Sequence, residues 1–408
     1  PEILGPLKWR ISGSQTTDLT VRCILGSEDL LLELMKTHIY AYHEMHGNIV
    51  DFGGWAMPVW YKGIIAEHNA VRNSVGMFDT SHMGRSMARG PDVERFVNRV
   101  VTNDVSKLKP SQGLYALMLR PNAGIVDDLI TYKRDGNAFF IVYNAANREK
   151  DFNWLKQNTS ELDVKLTDVS DEIAMIALQG PKAVETLQKV TEEDVSQVAR
   201  FSIAKLTISG LECMAARTGY TGEDGFEIFI LDCPVSSPDK ALKVWNDLVE
   251  AGAVPCGLGA RDSLRMEAGL NLYGSDIGET TNPLEARLRW AVKFKKKGGF
   301  IGIEALQAAR ADGIKRIQVG IQMVGRGLPR QHYDILESDG ERVIGEVTSG
   351  GFAPTLGYGI AIGYVPVEYR KVGTPVMIRV RKKLVEGKIV KSHPFYDDSI
   401  YGWKRDKQ

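Results

Sequence analysis

Two adjacent carboxylates, Asp127 and Asp128, stand just past Pro121-Asn122-Ala123-Gly124 and enter a strand-like run. Aspartate is depleted from strands because it costs desolvation and packs little apolar surface. Such a residue is either a solvated strand start or a carboxylate held on a rigid element to steer a proton or a cation. Alternation does not choose, since Asp128 shares a face with Val126 and Ile130, and Asp127 with Ile125 and Leu129. A further acid, Glu227, begins a strand after Gly219-Tyr-Thr-Gly-Glu-Asp-Gly225; it reads either as functional or as a cross-strand partner for a base such as Arg217. Arg261 and Asp262 read as a local ion pair, because Gly257-x-Gly259 fails as a dinucleotide loop once Asp262 holds the third glycine position. His43-Glu-Met-His46 is one residue short of H-E-x-x-H, so it does not set two imidazoles one helical turn apart. His82 reads as a packed or hydrogen-bonded loop histidine. There is no Walker loop, and Gly84-x-Ser86 lacks the closing glycine of a nucleophile elbow.

The elements that must position these acids come as a unit that occurs twice. Residues 84–90 read as a strand, Pro91 opens a helix, and Val93, Phe96, Val97, Val100 and Val101 form its apolar stripe. Residues 173–179 repeat the strand, Gly180-Pro181 repeats the helix start 90 residues on, and Ala183, Val184, Leu187 and Val190 repeat the stripe. Two strands are expected after each helix, the first pair at 114–119 and 129–132, the second at 204–216 and 226–231. A helix follows each pair, at 148–157 and 239–250, giving a ferredoxin-like, split β-α-β order. Each unit then carries an acid beside its central turn. In the first, Pro121 presets φ while Asn122 and Gly124 tolerate positive φ. Upstream, 39–46 and 64–75 read as helices, and the aromatic, Gly-rich stretch 51–58 as a loop with buried rings. From about residue 315 short strands at 317–323, 343–347, 359–365, 376–381 and 388–391 alternate with turns, the texture of a small β-barrel. Lys293 to Lys297 reads as a solvated linker into it.

At 408 residues the chain is long for one core and is expected to form two or three domains. Lys plus Arg and Asp plus Glu balance at 51 each, so no net field favours nucleic acid or an anionic membrane. No apolar run approaches the ~18 residues of a membrane span. Cys23, Cys213, Cys233 and Cys256 are too scattered for a C-x-x-C motif and suit a reducing compartment. Residues 1–34 mix turn formers with Glu28-Asp29, fitting neither a secretory signal nor a mitochondrial presequence; Met35 is the expected natural start.

The chain resembles the glycine cleavage T-protein family, the tetrahydrofolate-dependent aminomethyltransferases. The landmarks, in order, are Val50-Asp-Phe-Gly-Gly-Trp-Ala-Met-Pro58, Gly76-Met-Phe-Asp-Thr-Ser-His-Met-Gly84, Thr102-Asn-Asp104, Gly124-Ile-Val-Asp-Asp128, Asn144-Ala-Ala-Asn147, Gln179-Gly-Pro181, Arg217-Thr-Gly-Tyr-Thr-Gly-Glu-Asp-Gly-Phe-Glu227, Gly257-Leu-Gly-Ala-Arg-Asp262, Thr348-Ser-Gly350 and Pro394-Phe-Tyr396. They run from about residue 37 to the C-terminus. With the repeat, the resemblance implies an α+β fold: two ferredoxin-like split β-α-β domains and a C-terminal small β-barrel around a central folate channel. The expected domains are 37–82 with 170–290, 83–169, and 291–402, behind a non-family leader at 1–34.

The resemblance also implies roles. Asp128 matches the catalytic aspartate, with Asp127 structural; Glu227 matches the binder of the pterin amide edge, and Arg261 a channel arginine that could hold Asp128 ionised. Tyr115, Val142, Asn144 and Tyr220 match positions lining the pterin pocket, and Met57 lies on a loop facing it. Leu270, Arg85 and Ala123 depart from the tyrosine, glutamate and glycine found in other members. The implied reaction moves an aminomethyl carbon from the dihydrolipoyl arm of H-protein to tetrahydrofolate, without a metal, nucleic acid or membrane. The alternatives are a folate-dependent demethylase of a small methylated substrate and a non-catalytic folate-binding protein. A cytoplasmic setting is expected, or a mitochondrial matrix for a processed form.

Overall fold

The computed structural model describes residues 34–405; the expected leader, apart from Leu34, and Cys23 lie outside the described residues. Helix α1 (Tyr40–His46) leads into strands β1 (Asn48–Phe52) and β2 (Trp55–Trp60), then α2 (Ile64–Asn73) and β3 (Gly76–Asp79). The stretch expected as a loop at 51–58 is therefore a hairpin. Gly53 and Gly54 take positive φ in its turn, and Asp51 Oδ1 accepts the Gly54 N–H at 2.8 Å. Trp55 is buried as expected, but Phe52 is exposed.

The first repeat unit runs β4 (Gly84–Arg89), α3 (Val93–Val100), β5 (Gly113–Leu119), β6 (Ile125–Arg134), β7 (Ala138–Tyr143), α4 (Arg148–Gln157) and β8 (Lys165–Asp168). The second runs β9 (Ala174–Gln179), α5 (Ala183–Gln188), β10 (Ile203–Ile208), β11 (Leu211–Ala216), β12 (Gly225–Ile230), α6 (Asp239–Glu250) and β13 (Val254–Pro255). Three strands, not two, follow each first helix. In the sheet ordered β5-β6-β7-β4-β8, the ferredoxin-like arrangement β8-β4-β7-β6 is kept and β5 is added as a hairpin edge. In the sheet ordered β10-β11-β12-β9-β3-β13, β10 is the added edge and β3 takes the place beside β9. Consequently Asp128, on β6, and Glu227, on β12, do not occupy equivalent strands, and the repeat does not relate them.

The 90-residue offset is nonetheless physical. Gly90 and Gly180 share φ values of 139° and 133°. Asp104 and Asp194 each cap a single 3-10 turn by accepting the N–H of Ser106 and Ser196. Gly113 N–H donates to Phe201 O at 2.7 Å and Ile203 N–H to Ser111 O at 2.9 Å, a reciprocal pair like that at a two-fold dimer interface. The two sheets face each other across Tyr132, Phe140, Val142, Met175, Met214 and Phe229. The Phe140 and Phe229 rings meet edge to face at 5.0 Å.

Helix α7 (Leu258–Glu267) packs between α2 and β2. A Cβ on Gly257 would stand 2.5 Å from the Val59 backbone, and one on Gly259 2.6 Å from Ile64, so these glycines serve close packing. Glu67 fixes the approach: its Oε1 accepts the N–H groups of Tyr61, Lys62 and Gly63, and its Oε2 that of Gly257 at 2.8 Å. Helix α8 (Ile303–Asp312) precedes β14 (Arg316–Met323), β15 (Asp334–Leu336), β16 (Val343–Ala353), β17 (Tyr358–Pro366), β18 (Pro375–Val380) and β19 (Lys383–Val390). These close as a barrel in the order β14-β17-β16-β15-β18-β19, with β15 a strand the sequence pattern did not reveal.

Lys293 to Lys297 is not simply a solvated linker. The Lys296 ammonium is buried and donates to the carbonyls of Asn98, Val101 and Asn103, tying the segment to the C-terminal end of α3. Leu117, Leu119, Ala123 and Ile125 of the β5–β6 hairpin pack against Ile277, Phe300 and Leu306 from the connection to the barrel.

In that hairpin the positive φ falls on Ala123, at 69°, and not on Asn122 or Gly124. Gly124 is needed for space: a Cβ there would lie 2.1 Å from Glu279 O. The neighbouring Ile125 N–H is committed to Gly278 O and Thr281 O, so the backbone cannot easily retreat. Gly124→Ala is expected to destabilise the fold by about 3 kcal/mol, read from urea denaturation midpoints at constant m; a loss under about 0.5 kcal/mol would show that the contact relaxes freely.

Candidate active site

Strand β7 ends at Tyr143, paired with Leu129, so the next residue, Asn144, finds aspartate side chains where a ladder partner would stand. Asn144 N–H donates to Asp127 Oδ2 at 3.1 Å, and Asn144 Nδ2 donates to Asp127 Oδ1 and Asp128 Oδ1, each at 2.8 Å. The Tyr115 hydroxyl, on the neighbouring strand, donates to Asp128 Oδ2 at 3.0 Å. Asp127 has no exposed surface, whereas Asp128 is half-buried. Burial, then the adjacent Asp127 charge, pushes the Asp128 carboxyl up to about 7, against the hydrogen bonds from Tyr115 and Asn144 that favour its ionised form. Arg261 is not among the groups acting on Asp128; it faces Glu227 and Tyr220 from α7, so the expectation that it holds Asp128 ionised is corrected.

A carboxyl whose folded pKa lies above its unfolded value of about 3.9 destabilises the fold increasingly as pH rises from there through about 7. Asp128→Asn removes that penalty. Its melting temperature is expected to exceed the parent's at about pH 8, with the gap closing near pH 4; thermal unfolding at both pH values checks this, and equal melting at pH 8 would contradict it.

Glu227 is held differently. Its cross-strand neighbours are Ala216 and Ala177, which leave its carboxylate uncrowded. The Thr218 hydroxyl donates to Glu227 Oε2 at 2.5 Å, and the Tyr132 hydroxyl lies 2.8 Å from Thr218 Oγ1, so a donor chain crosses from one unit to the other. Burial raises the proton affinity of Glu227, while Thr218 and Arg261 oppose that rise. Arg217 is not its partner, because it closes the 217–224 loop on Asp224 at 2.5 Å. Nor do Arg261 and Asp262 pair, since Asp262 is bound by Arg265 at 2.8 Å. Arg261 instead lies 4.7 Å over the Tyr220 ring and donates toward Met83 Sδ at 3.8 Å. Tyr220 donates to Asn271 O at 2.5 Å, and its phenol feels both Asp128 and Arg261.

The structure thus gathers Asp128, Tyr115 and Asn144 on one side, and Glu227 and Arg261 on the other, with Tyr220 between. Val142 is buried in β7 beside Ile130. Met57 is buried on β2, lining a small cavity with Phe78, Asp79 and Arg261. Two neighbours were missed in the sequence. Trp290, exposed, stacks on Tyr115 at 5.2 Å and 25°, and Met83 meets Arg261. Trp290 lies in an irregular segment whose periodicity carries no signal.

The remaining candidates are structural in their contacts. His82 is buried against Phe52 and Trp55, and burial drives its pKa down to about 3, so it is neutral. His43 bridges Asp79 and the Tyr61 hydroxyl, each at 2.8 Å. Arg85 is fully buried, and its two terminal nitrogens donate to the carbonyls of Met83, Ser81 and Ser170, which rationalises an arginine there. Among the described residues no group of three or more His, Cys, Asp and Glu side chains is arranged to hold a metal ion.

Two duplicated α+β units packed face to face and an appended closed barrel define the architecture that frames these carboxylates. Residues 39–296 match the family described as GCVT N-terminal domain, and residues 316–397 the glycine cleavage T-protein C-terminal barrel domain. The chain belongs to the glycine cleavage T-protein family. It is 45% identical over 368 residues to an aminomethyltransferase of Caldanaerobacter subterraneus subsp. tengcongensis, covering 89% of this chain and 96% of the relative. It is 47% identical over 364 residues to one of Herpetosiphon aurantiacus, covering 89% and 98%. The crystal structure of glycine cleavage system aminomethyltransferase T from Bartonella henselae superposes with a TM-score of 0.82 at 33% identity, covering 89% and 98%.

Proposed function

We propose that this enzyme is the aminomethyltransferase of glycine cleavage. It takes the aminomethyl carbon from the dihydrolipoyl arm of H-protein and passes it to tetrahydrofolate, giving 5,10-methylenetetrahydrofolate, ammonia and the free dihydrolipoyl thiol. The reading is carried by the half-buried Asp128 carboxyl, oriented by Tyr115 and Asn144 and poised to exchange a proton near neutrality. The folate acceptor supplies the two secondary amines between which the carbon ends. Their two protons balance those gained by the departing thiol and ammonia. Asp128 is placed to take such a proton and return it to a leaving group, and as a carboxylate it stabilises positive charge developing on the migrating carbon.

Glu227 fits the other end of the acceptor. A pterin presents its 2-amino and N3 hydrogens as a fork of donors, and a buried carboxylate flanked by alanines can accept both. Burial raises the proton affinity of Glu227, the Thr218 hydroxyl and Arg261 oppose that rise, and the Tyr220 ring lies against Arg261. Tyr115, Val142, Asn144 and Met57 would complete the enclosure. The relatives named above are bacterial, which favours the cytoplasm over a mitochondrial matrix. Purified enzyme given tetrahydrofolate and aminomethyl-loaded H-protein should form methylenetetrahydrofolate. Turnover with only a free methylated amine would favour a demethylase, and binding without turnover a folate-binding protein.

A further inference from the structure

The least satisfied ionisable group beside this site is Asp151, in the first turn of α4. It has no exposed surface, and among the described residues neither carboxyl oxygen accepts a hydrogen bond. Lys150 Nζ stands 3.8 Å from Asp151 Oδ1, too far for a hydrogen bond, and gives two of its three donors to Val126 O and the Tyr273 hydroxyl. A buried carboxylate without donors is a large uncompensated desolvation. A carboxylic acid in the same place needs only an acceptor. Asp127 supplies one, since the two carboxyl groups lie within hydrogen-bond reach. Because Asp127 already accepts from both the backbone and side-chain N–H of Asn144, it is the ionised member, and Asp151 holds the proton the pair must share.

We propose that Asp151 is a positioning residue for aminomethyl transfer: its carboxylic acid donates to Asp127, which keeps Asp127 aimed at Asn144 and Asn144 aimed at Asp128. The inference rests on Asp128 being the catalytic carboxylate. The groups facing the pair are Asp128, Lys150, Tyr143 and Tyr273. Burial first, and the bond to Asp127 second, raise the proton affinity of Asp151 far above the carboxylate range, while Lys150 opposes them. With the proton on Asp151 the pair carries one negative charge, which is the charge that lifts Asp128.

Infrared difference spectra of the full chain at about pH 9, where Asp128 is ionised, should show a buried protonated carboxyl that is lost in Asp151→Asn. A parent spectrum without that band overturns the proposal. In the pH profile of kcat/KM, Asp151→Asn still donates to Asp127 and should keep both the rate, within about twofold, and the acid limb. An acid limb displaced downward by about one unit would mean that a charge had been removed, and would overturn it too. Asp151→Leu, which cannot donate, should lower kcat about 10-fold or more with KM for folate little changed; parent-like kcat contradicts the proposal. Should the leucine variant not fold, the infrared band and the asparagine profile still decide. The infrared result does not depend on which donor the enzyme uses, so it fails or stands separately from the functional reading.

Discussion

Replacing Asp128 with asparagine is expected to lower turnover by about 1,000-fold while tetrahydrofolate affinity changes less than about threefold. The substitution is nearly isosteric, and the Tyr115 and Asn144 contacts bracket it on both sides, so the local frame should persist. What is lost is a carboxyl able to exist in either protonation state near pH 7. The magnitude is that of a positioned general acid–base group with its electrostatic contribution to the transition state removed. Steady-state kinetics with aminomethyl-loaded carrier and a separate folate titration read the two quantities independently. Near-parent turnover would remove Asp128 from the chemistry, and a parallel collapse of affinity would recast it as a binding residue.

Glu227→Ala should show the opposite pattern. A hydrogen bond to a charged group contributes about 1.5–3 kcal/mol, and two donors would be left unpaired in a buried site, so a loss of about 3 kcal/mol is expected. That corresponds to about a 150-fold rise in Kd for tetrahydrofolate, while kcat at saturating folate falls far less. The enclosure tolerates truncation here, because Ala216 and Ala177 flank the side chain and the Tyr132–Thr218 pair can persist without it. Isothermal titration checks the prediction, and a Kd within about threefold of the parent's would place the pterin edge elsewhere.

The repeat was legible because helix stripes and Gly-Pro starts are local signals, and the reciprocal contacts between residues 111–113 and 201–203 bear it out. The third strand of each unit escaped notice for two reasons: β10 and β11 are tight hairpin partners that read as one run, and β7 is an apolar stretch buried on both faces, without alternation. Alternation failed at Asp127 and Asp128 for a physical reason. The β5–β6 register shifts between Met118 and Leu119, and β7 ends before reaching the aspartates, so their side chains take over ladder donors from Asn144. Family resemblance supplied what the pattern could not, namely Asp128 over Asp127. Neither source pointed to Arg261 facing Glu227 in place of Asp128, since that depends on how α7 is seated by Glu67 and two glycines. Asp151 was invisible for a related reason: one acid in a polar helix has no signature until its burial is known.

Transfer of one carbon from a lipoyl-bound amine to folate at Asp128 leaves a signature in where that carbon ends. A single turnover with H-protein carrying an isotopically labelled aminomethyl carbon, followed by NMR of the folate and assay of released ammonia, tests it most directly. The label is expected in the methylene bridge with one ammonia released per label transferred, and transfer should slow by about 1,000-fold in Asp128→Asn. Label retained on the carrier with the parent enzyme, or transfer at an undiminished rate in the variant, would contradict it.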